Sequence, residues 1–512
     1  MSQRTERTSL YRAAFWLILL LGATVRIYRF GTAPAGLNQD EAFAAYEAWS
    51  LLHGGTDTAG YAWPVYLTAW GSGMNALETY LMLPFLALFG RQVWAVRLPQ
   101  LLVGLLSIPA LCDAVRRTAD RESALWAALL LAICPWHVLL SRWGLESNLA
   151  PGFLLFGTAA FLRGLEDGRF LPLSGLLYGL SLYAYATLWP VLPAVLLCQG
   201  AYCARRGKLR IDRWLLLALL LLFLLALPLL LFLAVNLGWM GEIRTPYLSV
   251  PKLLYLRAGE LSLRRIPENL GNLAAILWTQ SDGLPWNSAG AYGLLYPLAA
   301  PFVLLGLLRC LARLRTARRR FEPAVLLLLW LLAGVAVGAL MEVNVNRVNL
   351  IFPPLIILAA VGLRWFAVLF RGRATPLLLA AWLLCFGLFS RWYFTDYQRD
   401  IAYSFRAGLE DALDAAMHTD GEIVLDEYIY YPQVLFFSGT PAEAFRASVR
   451  YERYPAAFLS PTGFTRFRFG YTGGAPEEGR CYILSPWTDP SALEAAGYTL
   501  HTYGVCTLAV LR

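Results

Sequence analysis

Long apolar runs, separated by short polar or basic loops, make up most of the chain up to residue 395. Roughly twenty apolar residues cross a bilayer as a helix, and on that length we count about eleven predicted spans. They lie near 13–30, 93–115, 123–141, 150–164, 173–187, 189–203, 214–236, 291–311, 323–341, 347–369 and 376–394. The pattern predicts an α-helical polytopic membrane protein.

The predicted loop between the first two spans, residues 31–92, carries helical patterns of its own. Residues 40–52 have apolar positions at helical spacing and are predicted to lie along the membrane surface. Residues 74–89 are apolar enough to pass for a short span. We place them at the interface or in a re-entrant segment, because a crossing would move every later loop to the other side of the membrane.

The hydrophobic pattern changes after Tyr393. Residues 397–417 have the spacing of one amphipathic helix, and strand-like runs follow between Pro and Gly turns. These runs lie at 422–425, 467–471, 481–484 and 505–511. The chain is therefore predicted to have a transmembrane module over 1–395 and a small C-terminal α/β domain over 396–512.

Composition and charge support a membrane protein and give it an orientation. The chain of 512 residues is 58% hydrophobic and 15% charged, and its formal net charge is +9. The basic residues are sorted into every second loop, at Arg116, Arg117 and Arg121; Arg163 and Arg169; Arg205, Arg206, Lys208, Arg210 and Arg213; Arg309, Arg313, Arg315, Arg318, Arg319 and Arg320; and Arg371 and Arg373. Cytoplasmic loops carry such an excess. This sorting excludes a nucleic-acid partner and predicts a multi-pass plasma-membrane protein with a cytoplasmic N-terminus and an extracytoplasmic C-terminal domain.

The eight cysteines show no metal-ligand spacing. Six of them lie in or beside predicted spans, where cysteine behaves as a small apolar residue. Cys481 and Cys506 lie on the predicted outer side, where a disulfide and two free thiols both remain open.

Two adjacent acids, Asp40 and Glu41, stand about ten residues beyond the first predicted span, just outside the hydrocarbon region. An acid at a helix start can cap backbone N–H groups and interact with the positive end of the helix dipole. A partly desolvated carboxylate can also take a proton from a reacting hydroxyl. Both interpretations are open for this pair.

Six motifs follow one another along the chain. They are GLNQDEAFAAYEAWSLL from Gly36, GSGMNALETYLMLPFLALFG from Gly71, AVRLP from Ala95, CPWHVLLSRWGLESNLAP from Cys134, GLSLYAYATLWPVLP from Gly179 and NRVNLIFPPLIILAAVGL from Asn346. In this order they resemble the GT-C superfamily of polyprenyl-phosphate-sugar-dependent glycosyltransferases. The resemblance is greatest to bacterial relatives of protein O-mannosyltransferases and to the aminoarabinose transferase of lipid A.

This resemblance implies a lipid-linked sugar donor at the outer leaflet and transfer with inversion. The acid of the first outside loop is the general base in such enzymes; Asp40 stands at that position, and Glu41 would orient the acceptor or the sugar hydroxyls. The Lys-Pro-Pro sequence of aminoarabinose transferases is replaced by Met74-Asn75-Ala76. The Asp-x-Asp metal motif of oligosaccharyltransferases is missing, so a divalent metal is left open but not indicated.

Arginine is the natural partner for the donor phosphate, because its planar donors match phosphate oxygens and it keeps its charge. Arg97, Arg142 and Arg347 stand at outer ends of predicted spans or in outside loops. Arg347 is the first choice, since it leads directly into a span. The alternative for each is that the side chain extends to the lipid headgroups.

Further candidate substrate-binding residues lie near the same predicted face. His137, Glu146 and Asn148 come from the loop around the third and fourth spans, and each could instead have a structural role. Tyr183 and Tyr185, with Trp189, suit sugar stacking but equally suit the aromatic belt at a membrane interface.

Two other classes of function remain as alternatives, a membrane transporter or lipid flippase and a non-catalytic scaffold. Transporters tend to show repeated halves and charges near the bilayer midplane. Here no repeat is visible and the candidate charges gather at one face, which favours the transferase. Its partners would be a polyprenyl-phosphate-linked sugar, the bilayer, and an acceptor on a lipid, glycan or protein.

Overall fold

The computed structural model describes residues 2–256, 261–316 and 323–511. Twenty α-helices are described: α1 Ser2–Ile27, α2 Gln39–Gly54, α3 Leu77–Phe89, α4 Val93–Thr118, α5 Arg121–Ile133, α6 Pro135–Leu140, α7 Glu146–Gly164, α8 Leu171–Ser181, α9 Leu188–Arg205, α10 Arg213–Asn236, α11 Ile266–Thr279, α12 Ala299–Thr316, α13 Ala324–Leu340, α14 Phe352–Leu369, α15 Thr375–Phe394, α16 Asp396–Ser404, α17 Leu409–Met417, α18 Tyr431–Ser438, α19 Ala442–Ser448 and α20 Ser491–Ala495. Arg318, Arg319 and Arg320 of the fourth basic loop lie outside the described residues.

The described strands are short and fall mainly in the C-terminal part. They are β1 Tyr66–Leu67, β2 Met74–Asn75, β3 Ile243–Arg244, β4 Ser249–Val250, β5 Glu422–Asp426, β6 Arg450–Tyr451, β7 Pro461–Phe464, β8 Phe467–Tyr471, β9 Arg480–Leu484, β10 Tyr498–Tyr503 and β11 Cys506–Leu511. The coarser part of the predicted class, a mostly helical chain with a C-terminal sheet, is confirmed.

Five described helical segments are long and apolar enough to cross a membrane. They are Ser9–Ile27, Val93–Thr118, Arg213–Asn236, Asn349–Leu369 and Thr375–Phe394. Few residues are buried in the apolar windows of the first, third and fifth, whereas most are buried in those of the other two. The count of about eleven spans and the sides of the loops stay predictions.

The predicted span 123–141 is broken, and α5 and α6 take its place. Cys134 has an extended backbone, with φ −68° and ψ 140°, and Pro135 begins α6. The residue before a proline is disfavoured in the helical region, while proline itself suits the first helical position. The prediction of one continuous helix is therefore wrong at Pro135.

The C-terminal sheet has seven strands in the order β10-β11-β9-β5-β8-β7-β6, and β5 runs parallel to both of its neighbours. The helix predicted over 397–417 is instead two helices, α16 and α17, separated near Gly408. Gly408 has φ +91°, and a Cβ there would stand 2.1 Å from the carbonyl oxygen of Tyr503. α16 ends at Ser404, and the left-handed backbone of Gly408 lies between it and α17, so the prediction of a single helix is wrong.

One hydrophobic core joins the sheet to α2. Phe43 and Tyr46 of α2 are buried in the same cluster as Val434 and Phe436 of α18. Gln433 Nε2 also donates to the carbonyl of Leu37, at 2.6 Å. The C-terminal part therefore supports the helix that carries Asp40 and Glu41.

All eight cysteines are free thiols in this structure, Cys481 and Cys506 included.

Candidate active site

The first turn of α2 is capped by Asn38. The Asn38 side chain accepts the N–H of Asp40 at 2.9 Å, and the Glu41 carboxylate accepts the N–H of Asn38 at 3.4 Å. Asn38 and Glu41 thus form the capping box, and Asp40 is not the capping residue. Asp40 is half-buried beside them.

Glu41 forms a buried, bidentate ion pair with Arg97. Arg97 Nε lies 2.8 Å from Glu41 Oε1 and its Nη2 lies 3.0 Å from Oε2, with both side chains fully buried. Arg97 also donates to the carbonyls of Pro34 and Gly36, both at 2.7 Å. The geometry favours structural roles for both residues, because these bonds fix the loop that leads into α2.

Gly144 lies between the carboxyl groups of Glu41 and Glu78, close to the first turn of α2. Its N–H donates to Glu41 Oε1 at 2.7 Å. A Cβ at this position would lie 2.7 Å from Glu78 Oε1 and 3.1 Å from Glu41 Cγ. Only glycine fits between these two acids without displacing one of them.

Glu78, in the first turn of α3, is a site residue that sequence reasoning missed. Its Oε1 accepts from Gln100 Nε2 at 3.2 Å, and Oε2 has no partner among the described residues. Burial holds the pKa of Glu78 well above its usual range, and the charges of Glu41, Glu146 and Asp40 raise it further. The raised pKa favours the protonated, neutral form of Glu78, and Asp40 and Glu146 lie close to it.

A cavity of about 320 Å³ lies next to the acids Asp40, Glu78 and Glu146, and Glu146 is part of its lining. We call it the Arg347 cavity. Its polar lining is Ser72, Asn75, Glu146, Tyr185, Thr187 and Arg347, and its apolar lining includes Tyr66, Trp189, Phe232, Leu253, Leu256 and Met341. Pockets for small ligands measure about 300–1,000 Å³ and are mostly apolar with a few polar groups. The Arg347 cavity has these properties.

Three predicted residues from distant parts of the chain meet in the Arg347 cavity. Glu146 begins α7 and accepts the N–H of Asn75; Tyr185 comes from the α8–α9 connection; Arg347 precedes α14. The contacts of Arg347 include a bond of 3.2 Å to the carbonyl of Glu342, and its side chain is 19% exposed. One cation and one anion thus line an otherwise neutral wall.

Arg142 lies away from this cavity and caps the end of α1. Its guanidinium donates to the carbonyls of Val25, Arg26, Tyr28 and Ala33 at 2.6–2.9 Å. The last carbonyls of a helix lack partners within the helix, and a cation satisfies them and interacts favourably with the dipole. Arg142 is fully buried, so its contacts favour this structural role over contact with lipid or phosphate.

His137, Asn148 and Tyr183 also lie outside the Arg347 cavity. His137 Nδ1 lies 2.7 Å from Arg26 Nη2, the side chain of Asn148 donates to the carbonyl of Trp143 at 3.5 Å, and the Tyr183 hydroxyl donates to the carbonyl of Leu225 at 2.7 Å. All three contacts are within the protein, so substrate binding by these residues stays a prediction that the geometry does not favour.

Two further acids are buried together, Glu47 in the middle of α2 and Asp57 just beyond its C-terminal end. Glu47 accepts the N–H of Thr58 at 2.9 Å, and Asp57 accepts the N–H of Tyr61 at 2.7 Å. Burial, and then the charge of Asp57, raises the pKa of Glu47 to about 8; burial also raises the pKa of Asp57.

Among the described residues, no three His, Cys, Asp or Glu side chains are arranged to hold a metal ion.

The Glu47 pair should make folding stability depend on pH. Glu47 binds its proton more tightly in the folded protein than in the unfolded chain. Its contribution to the free energy of unfolding is therefore complete below about pH 4.5 and is lost as the pH rises through about 8. We expect Glu47→Gln to flatten the fall in unfolding temperature between these pH values. Glu443→Gln, at an exposed site, is the matched control. Equal slopes for wild type and Glu47→Gln would show that Glu47 does not hold its proton.

Comparison with known proteins gives one sequence family and several solved folds. The family of dolichyl-phosphate-mannose-protein mannosyltransferases matches residues 76–232, which is less than half of the chain. No curated protein sequence matches the chain.

The crystal structure of ArnT from Cupriavidus metallidurans in the apo state has a TM-score of 0.55 at 15% identity, and the match covers 99% of this chain and 98% of that chain. The same protein bound to undecaprenyl phosphate gives a TM-score of 0.56 at 15% identity, with the same coverage. The oligosaccharyltransferase of Archaeoglobus fulgidus, tethered with an acceptor peptide, gives 0.54 at 14% identity, covering 85% of this chain and 63% of that chain. The resemblance to GT-C glycosyltransferases is confirmed, and at these identities the solved structures show a shared fold.

Proposed function

We propose that this chain is an integral-membrane glycosyltransferase that moves a sugar from a polyprenyl-phosphate donor to an acceptor hydroxyl, with inversion. The observation that carries the proposal is the Arg347 cavity, where a cation and an acid share a wall with a long apolar lining. A lipid phosphate needs both features, because its phosphate seeks a cation and its chain seeks apolar surface. ArnT, which shares the fold over nearly its whole length, was crystallised with undecaprenyl phosphate.

In the proposed mechanism Asp40 is the general base. The acceptor oxygen attacks the anomeric carbon from the side opposite the phosphate, and its proton passes to Asp40. The bond between the anomeric carbon and the phosphate oxygen breaks, and polyprenyl phosphate leaves with the electron pair. Arg347 stabilises the negative charge that develops on the leaving phosphate.

The surroundings of Asp40 support this assignment. Burial raises the pKa of Glu78 and favours its neutral form, which limits the negative charge beside Asp40. Glu41 is held by Arg97 and is committed to the helix cap, and we therefore assign the proton transfer to Asp40 alone. Arg97 and Arg142, both fully buried in contacts with the protein, are not retained as phosphate ligands.

The proposal places the reaction on the extracytoplasmic side of the plasma membrane. It rests on the basic loops, which the positive-inside rule assigns to the cytoplasm. The C-terminal domain, 396–512, would lie on the same outer side as α2, and its contacts with α2 support that arrangement.

Arg347 gives the direct test of donor binding. We expect Arg347→Ala to weaken binding of undecaprenyl phosphate by about 1.5–3 kcal/mol, the range for loss of a hydrogen bond from a charged group. Arg347→Lys should already impair binding, because lysine keeps the charge but loses the planar fork. Binding to protein in lipid nanodiscs measures both effects.

Arg244→Ala is the matched control, since Arg244 lies in β3, does not line the Arg347 cavity and pairs with Glu242 at 2.8 Å. It should bind the lipid as the wild type does. Full affinity in both Arg347 variants would show that Arg347 does not hold the phosphate.

A further inference from the structure

Three polar residues that line the Arg347 cavity have a side-chain oxygen without a partner among the described residues. Ser72 Oγ, Asn75 Oδ1 and Thr187 Oγ1 make no hydrogen bond to any described residue. The three residues line the cavity and are 4%, 1% and 3% exposed. Buried polar atoms of folded proteins are nearly all paired, so three unpaired ones around one cavity indicate groups that a ligand satisfies.

The local structure holds the backbone of these residues in place at the cavity, while the three side-chain oxygens are buried without a partner among the described residues. Asn75 pairs with Tyr66 across the β1–β2 hairpin, and its N–H is held by the carboxylate of Glu146. Thr187 precedes α9 at the N-cap position, yet its hydroxyl makes no capping bond. Ser72 follows the short helical turn Ala69–Gly71, and its N–H bonds to the carbonyl of Ala69 at 3.1 Å.

The chemistry of these groups distinguishes between parts of a lipid-linked sugar. An amide oxygen such as Asn75 Oδ1 only accepts hydrogen bonds. An ionised phosphate offers acceptors and a polyprenyl chain offers neither donor nor acceptor, so neither part satisfies Asn75. Sugar hydroxyls donate and accept, and they match the amide oxygen and both hydroxyls.

We propose that Ser72, Asn75 and Thr187 form the subsite for the sugar ring of the donor, and that they recognise its hydroxyl groups. The inference rests on the proposed function and adds the residues that form hydrogen bonds with the sugar hydroxyls. In this arrangement Arg347 binds the phosphate and the three neutral side chains bind the ring attached to it. The sugar then contributes affinity that the lipid phosphate alone does not have.

The test compares two probes, undecaprenyl phosphate and its hexosyl esters, with mannose, glucose or galactose as the hexose. The wild type should bind at least one hexosyl ester more tightly than the bare lipid phosphate. Ser72→Ala, Asn75→Ala and Thr187→Val should each weaken binding of that ester about 3- to 10-fold, the loss of one neutral hydrogen bond. Each should leave the affinity for undecaprenyl phosphate unchanged.

The unfolding temperature without ligand provides a second measurement. Replacing a buried, unpaired hydroxyl by a group of the same shape is not expected to destabilise the protein. Ser72→Ala and Thr187→Val should therefore unfold at or above the wild-type temperature. Ser390→Ala is the matched control, because Ser390 on α15 also has an unpaired hydroxyl but does not line the Arg347 cavity. It should bind both probes as the wild type does.

The outcomes separate this inference from the proposed function. If undecaprenyl phosphate binds but no hexosyl ester binds more tightly, the sugar subsite is wrong and the lipid site stands. Equal losses for both probes, or no loss for the ester in any variant, would also overturn the subsite. If neither probe binds the wild type, the proposed function is wrong and the subsite with it.

Discussion

Arg97→Met should lower the free energy of unfolding by about 3–5 kcal/mol, because removal of one partner from a buried ion pair leaves an uncompensated charge. Glu41 would be that charge, fully buried at the start of α2. The loop carbonyls of Pro34 and Gly36 would lose their donor in the same substitution. Chemical unfolding of the protein in detergent measures the change.

The double variant Glu41→Gln with Arg97→Met is the control for this prediction. It removes both charges, so part of the lost stability should return, and the two effects should not be additive. Unchanged unfolding of Arg97→Met, together with loss of lipid binding, would contradict the structural role and restore Arg97 as a phosphate ligand.

Asp40→Asn should lower the rate of sugar transfer by at least about a hundredfold, the lower range for loss of a general base. Asparagine has nearly the same shape but cannot take the proton of the acceptor hydroxyl. Donor binding should be largely retained, because Arg347 and the cavity walls are unchanged. Release of undecaprenyl phosphate from its sugar ester, with acceptor present, measures the rate.

Asp396→Asn, at an exposed acid that begins α16, is the matched control and should leave the rate unchanged. The unfolding temperature of Asp40→Asn establishes that the variant is folded. Near-normal turnover by folded Asp40→Asn would exclude Asp40 as the base.

The helical architecture could be predicted because the length of each long apolar run in the sequence predicts the length of a helix. Residues 214–236, for example, were predicted as a span and form α10 with nearly the same bounds. The break at Pro135 and the separation of α16 from α17 at Gly408 were missed, although proline and glycine are the usual signals for such ends. In both places the hydrophobic spacing continued across the break, and the prediction followed that spacing instead of the single proline or glycine.

The candidate site could be predicted only in part, since a sequence does not show which partners a charged residue finds. Arg142 and Arg347 both stand near outer span ends, yet one caps α1 and the other lines the Arg347 cavity. Glu78 had a signal, as the one acid in the apolar run 74–89. Ser72 and Thr187 had none, because small hydroxyl residues are common in loops and their unpaired state depends on the fold.

The central claim is sugar transfer from a lipid phosphate, and one assay tests it most directly. Purified protein in vesicles is given undecaprenyl phosphate esters labelled in the sugar, together with an extract of envelope lipids, glycans and proteins as acceptor. We predict that the label moves into the acceptor with inverted anomeric configuration, that unlabelled undecaprenyl phosphate is released in equal amount, and that Asp40→Asn does neither. Labelled lipid that crosses the bilayer intact, with no label in any acceptor, would contradict the account and indicate a transporter.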